Sequence, residues 1–365
     1  MSRGPARARG WLATTLTTAE RALDRRIGAA LLQRPGWRVT VLPYVGHGTT
    51  RQLRVRARAV ARRRVGWRPN GPGAVVLSAI GHYLSAEVAG TRVTVEVGGV
   101  TRDAVSDDEG YVDVALDVNL SAGWHPVTFR LDDDESAVVG KALVVDPAAH
   151  VGIVSDIDDT ILHTGLTRLV EALRNSLFVA EEERAAIAGA AELYAGLVAA
   201  DGGRAPVFYV STGAWNLHAV LHRFLERHHF PIGPMLMTDW GPGGKWLFRE
   251  DSIAFKSRTV IERIDEHPQL RWVLVGDSGQ HDPEAYAAVA RVRPERLHAV
   301  YIREVPPQSP GRRHRVRELA EELSTLGVPL LLIRDSLMAA EHAHQLGLLE
   351  AADVGRVRLA VAPSE

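Results

Sequence analysis

Hydrophobic and polar residues alternate along the first half of the chain, from Trp37 to about Val145. A period of two places successive side chains on opposite faces of a β-strand. Segments rich in Gly and Asp, such as 98–99 and 106–110, separate the alternating runs and predict turns. Seven short strands of this kind are typical of an antiparallel β-sandwich. The predicted strands are Arg38–Leu42, Arg51–Val60, Ala74–Ile80, Arg92–Val97, Tyr111–Val118, Pro126–Leu131 and Val138–Val145.

After Pro147 the pattern changes to short apolar runs that alternate with stretches of helical period. This alternation predicts an α/β domain, in which helices connect the strands of a parallel sheet and cover it in three layers. The predicted strands are 151–155, 206–210, 234–238, 272–276, 298–302 and 328–333. The predicted helices lie near 166–178, 181–200, 216–228, 257–266, 313–325 and 335–346.

The segment before both regions has a helical period, with Leu12, Leu16 and Leu23 on an apolar stripe and arginines on the other faces. Two interpretations stay open: a helix that packs on its own domain, and a basic amphipathic helix on a membrane surface. The predicted organisation is a basic amphipathic N-terminal helix at 1–35, a β-sandwich at 36–147 and the α/β domain at 148–365.

Composition narrows the class of protein. With 46% hydrophobic and 24% charged residues, the chain is typical of a globular protein with a sizeable core. Cysteine is absent, which excludes a disulfide scaffold, a thiolate zinc site and a cysteine nucleophile. Neither a membrane-spanning helix nor a secretory leader is predicted, because no apolar run is long enough. We therefore expect a cytoplasmic protein, with peripheral contact to a membrane as an open alternative.

Charge is unevenly distributed. Residues 1–70 carry 16 arginines and only two acids, whereas the whole chain has a net charge of −1, so the remainder is acidic. A basic end is compatible with an anionic partner, and equally with arginines on a solvated face. Only three of the 43 basic residues are lysines, namely Lys141, Lys245 and Lys256, so each of these lysines is informative.

Three of the apolar runs end in polar residues, at Asp156, Ser211 and Asp277. In open parallel sheets the ligand lies outside the carboxyl ends of the strands, so these three ends should converge. A set of carboxylates without a His/Cys cluster favours Mg²⁺, which usually implies a phosphate ligand. Asp156 and Asp158 lie on one side of an extended chain, so one could attack phosphorus while the other handles the proton of the leaving group. Any single Asp here could instead cap a helix or stabilise a turn.

From about residue 148 onward, the order and spacing of these residues resemble the haloacid-dehalogenase (HAD) superfamily of phosphotransferases. Residues 156–160 resemble its DxDxT motif, and residues 276–282 resemble its GDxxxxD motif. Ser211 and Lys256 stand where the superfamily has its second and third motifs. The resemblance implies a HAD-like Rossmannoid fold.

The same resemblance implies a role for each matching residue. Asp156 would be the nucleophile that forms an aspartyl-phosphate, and Asp158 the general acid and base. Ser211 would bind the transferring phosphoryl group, and Lys256 would hold nucleophile and phosphate together. Asp158 also favours a phosphate over a halide substrate. The implied ligands of Mg²⁺ are Asp156, the backbone carbonyl of Asp158, Asp277 and Asp282.

Segments 155–161, 209–217 and 276–284 resemble one group in the superfamily more closely, the actin-patch-protein type phosphatidate phosphatases and their bacterial relatives. This resemblance implies a phosphorylated substrate of the phosphatidate class. A long Pro-rich tail is absent from this sequence, so cytoskeletal partners are not implied. The gap of about 45 residues between Asp156 and Ser211 leaves room for a small cap only. The aromatic, Gly-rich segment 239–248 could be a lid, a membrane-touching loop or a packed loop.

The leading interpretation is a Mg²⁺-dependent phosphomonoesterase that acts through Asp156, with phosphatidate as a candidate substrate. Two alternatives stay open. One is a non-catalytic adaptor that binds a membrane or a polyanion through its basic end. The other is a phosphatase of the same fold that acts on a soluble or nucleotide phosphate. Specific binding of nucleic acid is not expected, because the basic region lacks a recognisable nucleic-acid-binding motif.

Overall fold

A computed structural model describes residues 32–63, 86–132, 134–162, 186–238, 251–306 and 309–362. The described chain forms two sheets, a largely antiparallel one in the first half and a parallel one in the second. No described helix is both long and apolar enough to cross a bilayer. Three predicted features lie outside the described residues, namely the strand Ala74–Ile80, the helix 166–178 and the segment 239–248, as do all but the last four residues of the predicted N-terminal helix at 1–35.

The first sheet joins nine strands in the order β1-β3-β2-β9-β8-β5-β6, with β4 and β7 also paired to β3. Its pairings are antiparallel except for the short parallel pairing of β2 with β9. The predicted antiparallel β-sheet is thus confirmed, whereas its division into the two sheets of a sandwich and the bounds of the domain stay predictions. The strands are β1 Trp37–Pro43, β2 Gly46–Gly48, β3 Gln52–Arg63, β4 Ala86–Glu87, β5 Arg92–Val97, β6 Val100–Val105, β7 Tyr111–Asp117, β8 Gly123–Leu131 and β9 Asp134–Val144.

Strand β3 shows why the alternating pattern gives a sheet. Leu53, Val55 and Ala57 are at most 1% exposed and belong to the core of this domain. The arginines between them share the opposite face, as the pattern predicts. That face is not simply solvent-exposed: Arg54 is exposed, but Arg58 is buried and pairs with Glu87. Its guanidinium lies 4.5 Å from the centre of the Tyr111 ring.

The second sheet is parallel and has six strands in the order β12-β11-β10-β13-β14-β15. Strands β11 and β12 follow one another on one side of the central strand β10, and strands β13, β14 and β15 follow one another on its other side. The order therefore reverses between β10 and β13, which is where ligands bind in sheets of this kind. All six predicted strands are confirmed. They are β10 Val151–Asp156, β11 Val207–Ala214, β12 Met235–Thr238, β13 Arg271–Asp277, β14 Leu297–Arg303 and β15 Leu330–Ile333.

Two hydrophobic clusters lie on the two faces of this sheet, because each buried strand sends successive side chains to opposite sides. Along β10, Ile153 belongs to one cluster and Val154 to the other. Helices cover both faces. They are α1 Ala190–Ala200, α2 His218–Arg227, α3 Ser252–Glu266, α4 Asp282–Val292, α5 Pro310–Thr325, α6 Ser336–Gln345 and α7 Ala351–Val361.

The helix prediction needs two corrections. Helix α1 begins at Ala190 rather than at residue 181, since Ala186 forms a β-bridge with Leu162 and Gly189 adopts a left-handed φ of 75°. Helices α4 and α7 were not predicted at all. Most side chains of α4 are buried.

The two parts of the chain pack against each other. The Tyr44 ring lies 4.5 Å from the Trp215 ring, measured between ring centres, and His47 bonds to Arg263 of α3 at 2.9 Å. Trp215 also lies 4.9 Å beneath the guanidinium of Arg56. Trp215 comes directly after β11, so part of this contact lies at the edge where the strands of the parallel sheet end.

Candidate active site

The site lies at the carboxyl edge of the parallel sheet, at the point where strand order reverses. Asp156 is the last residue of β10 and Asp277 the last residue of β13. Ser211 lies in β11, on the other side of β10. Lys256 comes from α3 and Asp282 is the first residue of α4. The structure therefore brings together the strand ends that the sequence predicts to converge.

Lys256 occupies the centre of this cluster and is fully buried. Its Nζ donates to Asp156 Oδ1 at 2.6 Å and also to Asp282 Oδ1. Burial alone would lower the pKa of Lys256, but the two carboxylates raise it above its ordinary value. Lys256 is thus a cation at neutral pH, and it fixes the orientation of both carboxylates.

Asp156 is 1% exposed, and a second donor holds its other oxygen. The Oγ1 of Thr160 donates to Asp156 Oδ2 at 3.2 Å. A tight turn brings Thr160 back to the strand end, with Asp159 in a left-handed conformation at a φ of 55°. Burial, and next the charge of Asp282, raise the pKa of Asp156 well above its ordinary value. The carboxylate is therefore desolvated, and the contacts to Lys256 and Thr160 hold its two oxygens.

Asp158 faces Ser211 across the two neighbouring strand ends. The Oγ of Ser211 donates to Asp158 Oδ2 at 3.3 Å and accepts from the backbone N–H of Gly213 at 2.9 Å. Burial raises the pKa of Asp158, which favours its protonated form. A protonated carboxyl two residues after Asp156 is suited to donate a proton to a leaving group.

Three buried carboxylates form a group that fits a divalent cation. One oxygen from each of Asp156, Asp277 and Asp282 lies within 4.8 Å of the others. Asp277 Oδ1 accepts from the N–H groups of Gly279 and Gln280, whereas Asp277 Oδ2 is buried and has no partner in the described part of the chain. Burial, and next Asp282, raise the pKa of Asp277 to about 8. Lys256 offsets only part of this negative charge, and such oxygen donors suit Mg²⁺.

All six residues predicted for the site lie in this cluster. The side chain of Asp158 stays outside the group of three carboxylates and bonds Ser211 instead. That the backbone carbonyl of Asp158 binds the metal stays a prediction.

The sequence interpretation missed Arg303, the last residue of β14. Its Nη1 donates to the backbone carbonyl of Asp159 at 2.9 Å. In the register of the sheet, Arg303 lies opposite Asp277. The signal was present, because Arg303 is another polar residue directly after a predicted apolar run. The position of Arg303 indicates that it fixes the turn that carries Asp158.

Comparison with known proteins agrees with the motifs. The family described as "Phosphatidate phosphatase APP1, catalytic domain" matches residues 151–304. Phosphatidate phosphatase APP1 of Saccharomyces cerevisiae is 31% identical over 232 residues, which are 60% of this chain and 39% of the yeast protein. The resemblance to this family is confirmed, and the chain spans well under half the length of the yeast relative.

Two other comparisons add less. The uncharacterized protein C29B5.04c of Schizosaccharomyces pombe is 26% identical over 155 residues, which are 42% of this chain and 25% of that protein. A carbohydrate acetylesterase of known structure from Xanthomonas citri has a TM-score of 0.26 at 10% identity, covering 79% of this chain and 76% of its own. A likeness this low carries no argument about fold or activity.

Proposed function

We propose that this chain, whose residues 151–304 match the catalytic domain of the phosphatidate phosphatase APP1 family, is a Mg²⁺-dependent phosphomonoesterase that acts on phosphatidate. One observation carries the proposal. A buried aspartate, held by Lys256 and Thr160, stands two residues before a second carboxyl that bonds Ser211. A helix cap or a structural ion pair does not require this second carboxyl.

The reaction takes two displacements at phosphorus. An oxygen of Asp156 attacks the phosphorus, the bond to the leaving alcohol breaks, and Asp158 gives its proton to that alcohol. Asp158, now a carboxylate, then takes a proton from water as the water oxygen attacks the aspartyl-phosphate. Inorganic phosphate leaves, and both carboxyl groups return to their starting states.

The surrounding residues bind and orient the phosphoryl group. Ser211 Oγ and the ammonium of Lys256 would donate hydrogen bonds to the phosphoryl oxygens. Ser211 Oγ lies within hydrogen-bond distance of Asp158, and Lys256 Nζ lies within hydrogen-bond distance of Asp156. Asp156, Asp277 and Asp282 would hold the metal, with the unpartnered oxygen of Asp277 as a ready ligand. Bound Mg²⁺ would neutralise phosphate charge and orient it for in-line attack.

Substitution of Asp156 tests the chemistry. We expect Asp156→Asn to abolish phosphate release from a soluble aryl phosphate in the presence of Mg²⁺, because an amide cannot serve as the nucleophile. Asp265→Asn is the matched control, since Asp265 is exposed and pairs with Arg293 away from the site. Equal rates for wild type and Asp156→Asn would refute the mechanism, and a wild type without activity would favour the non-catalytic adaptor.

Substrate class needs its own experiment. Phosphatidate in mixed micelles is compared with soluble sugar phosphates, nucleotides and phosphopeptides at equal phosphate concentration. We expect the largest kcat/KM for phosphatidate, in line with the family match. A clear preference for any soluble substrate would refute the lipid assignment and leave the phosphomonoesterase chemistry intact.

A further inference from the structure

An open groove lies where the β domain meets α2. Its volume is about 390 Å³ and its lining is mostly apolar. Gly140 makes the close packing at its floor possible, because a Cβ at this position would lie 2.7 Å from Cβ of Pro43. The lining residues are Pro43, Tyr44, Val45, Val139, Gly140, Lys141, His218, Ala219 and His222.

One face of the β8–β9 hairpin continues this groove into solvent. Val139 and Lys141 are two apart on β9, and the strand register places Pro126 opposite Lys141. Val139 is 63% exposed and Trp124, on the same face of the hairpin, is 44% exposed, so the two form an exposed apolar patch. We call Trp124, Pro126, Val139 and Lys141 the β8–β9 face.

Lys141 gives this apolar surface a positive charge. Its Nζ lies 5.2 Å from the centre of the Trp124 ring. Among the described residues, no carboxylate forms an ion pair with Lys141. Burial keeps the pKa of His218 at about 3 and lowers that of His222, so neither adds charge at neutral pH. Glu226 Oε1 lies 3.5 Å from Nδ1 of His222. A pair formed by the exposed Trp124 and the half-buried Lys141, beside an apolar groove, complements a surface that is both anionic and apolar.

The groove also lies at the edge of the molecule that carries the candidate active site. Strand β11 contains Ser211 and ends at Ala214, so α2 begins at the same carboxyl edge of the sheet. His218, Ala219 and His222, which line the groove, belong to the first turns of α2. A flat surface that touches the groove therefore contacts the part of α2 that begins at the same edge of the sheet as the candidate site.

We propose that the β8–β9 face and its groove bind an anionic phospholipid bilayer. Trp124 and Val139 enter the interfacial layer, Lys141 pairs with a lipid phosphate, and the groove accommodates the apolar part of that lipid. The inference rests on the proposed function in one respect, namely that the substrate is a lipid. The binding itself does not require catalysis.

Vesicle binding by the full chain tests the surface. Vesicles of phosphatidylcholine are compared with vesicles that also contain phosphatidylglycerol, whose phosphodiester is not a phosphomonoester substrate. We expect wild type to prefer the anionic vesicles, and Val139→Asp and Lys141→Glu each to weaken binding by about tenfold. Leu359→Asp is the matched control, because Leu359 is 79% exposed on α7 and lies outside the groove.

Every outcome decides the proposal. Unchanged binding by Val139→Asp and Lys141→Glu would overturn it, and the face would then suit a protein partner instead. An equal loss in Leu359→Asp would also overturn it, since the effect would not be local. Hydrolysis of a soluble aryl phosphate by wild type reports on catalysis separately. Vesicle binding that depends on Lys141, without any such hydrolysis, would support the docking surface and refute the proposed function.

Discussion

A single carboxylate oxygen makes the clearest case for a cation. Asp277 Oδ2 is buried without a hydrogen-bond partner among the described residues, while Asp277 Oδ1 accepts from two backbone N–H groups. A buried polar atom without a partner costs about 1–3 kcal/mol, so the folded chain gains stability when a ligand occupies this position.

We therefore expect Mg²⁺ to raise the melting temperature of the wild-type protein. A cation at one hundred times its Kd would stabilise the fold by about 2.7 kcal/mol. Asp277→Asn removes a charged ligand, so its melting temperature should respond much less to Mg²⁺. Differential scanning calorimetry with EDTA and with added Mg²⁺ measures both proteins. An equal response of the two would contradict the assignment of Asp277 to the metal.

Arg303 gives a second prediction at this scale. Its bond to the carbonyl of Asp159 holds a turn whose φ of 55° is uncommon for a residue other than glycine. Arg303→Lys keeps the charge but loses the fixed geometry of the guanidinium fork. We expect kcat to fall by about tenfold with little change in KM, since the turn that presents Asp158 is less well placed. Arg293→Lys is the control, and a rise in KM alone would show that Arg303 binds substrate instead.

At the scale of elements, the approach of α4 to β13 explains the glycine of the fourth motif. A Cβ on Gly276 would lie 2.7 Å from Cβ of Asp282 and 2.8 Å from the ring of Tyr286. Both neighbours are fully buried and have no room to move. Gly276 thus lets the helix approach closely enough for Asp282 to reach Lys256 and the backbone N–H of Asp277.

Gly276→Ala should therefore lower both the stability of the fold and the activity of the site. We expect a loss of about 1–3 kcal/mol in the free energy of unfolding, as for other overpacked cores, and a large loss of activity. Gly355→Ala is the matched control, because Gly355 lies in α7 and a Cβ there would meet nothing within 4 Å. That control should gain about 0.5–1 kcal/mol. Urea unfolding distinguishes the two, and equal stability of both variants would contradict the packing argument.

Some of these elements could be predicted from the sequence, because their apolar and polar residues follow a regular pattern, and others could not. The six strands of the parallel sheet were predictable because apolar runs alternate with amphipathic helices. Helix α4 was not predicted, although its apolar residues recur with a helical period as those of the predicted helices do. The polar strand ends indicated the site correctly, yet the contact between Thr160 and Asp156 depends on the left-handed turn at Asp159, which no spacing rule gives. The short strand β2 has no alternating pattern and forms only because β3 and β9 pair with it.

For the molecule as a whole, the contact between the two parts should depend on pH. His218 lies in this contact, 4.8 Å from the Tyr44 ring between ring centres. Burial, and next His222, lower the pKa of His218 from 6.5 to about 3. The unfolded chain therefore binds a proton more readily than the folded one. Stability is fully present above pH 6.5 and is lost as the pH falls toward 3.

His218→Phe keeps a ring in this contact and removes the titration. Between pH 7 and pH 5, we expect wild type to lose about 2 kcal/mol more free energy of unfolding than this variant. The buried His47 and His267 also have lowered pKa values and contribute equally to both proteins. Urea titrations at the two pH values give the difference. Identical losses would mean that His218 is already protonated or accessible in the folded state.

The position of β10 in the centre of its sheet has a consequence for synthesis of the chain. The ribosome releases the strand that ends in Asp156 before either of its neighbours, and β13 follows only after β11 and β12. Lys256 is 100 positions further along than Asp156, and Asp282 comes later still. Asp156 therefore has neither the ammonium of Lys256 nor the neighbouring strand β13 until most of the α/β domain has been synthesised. Assembly of the site thus requires the four strands β10 to β13 and the helices that carry Lys256 and Asp282, whereas β14 and β15 are synthesised later.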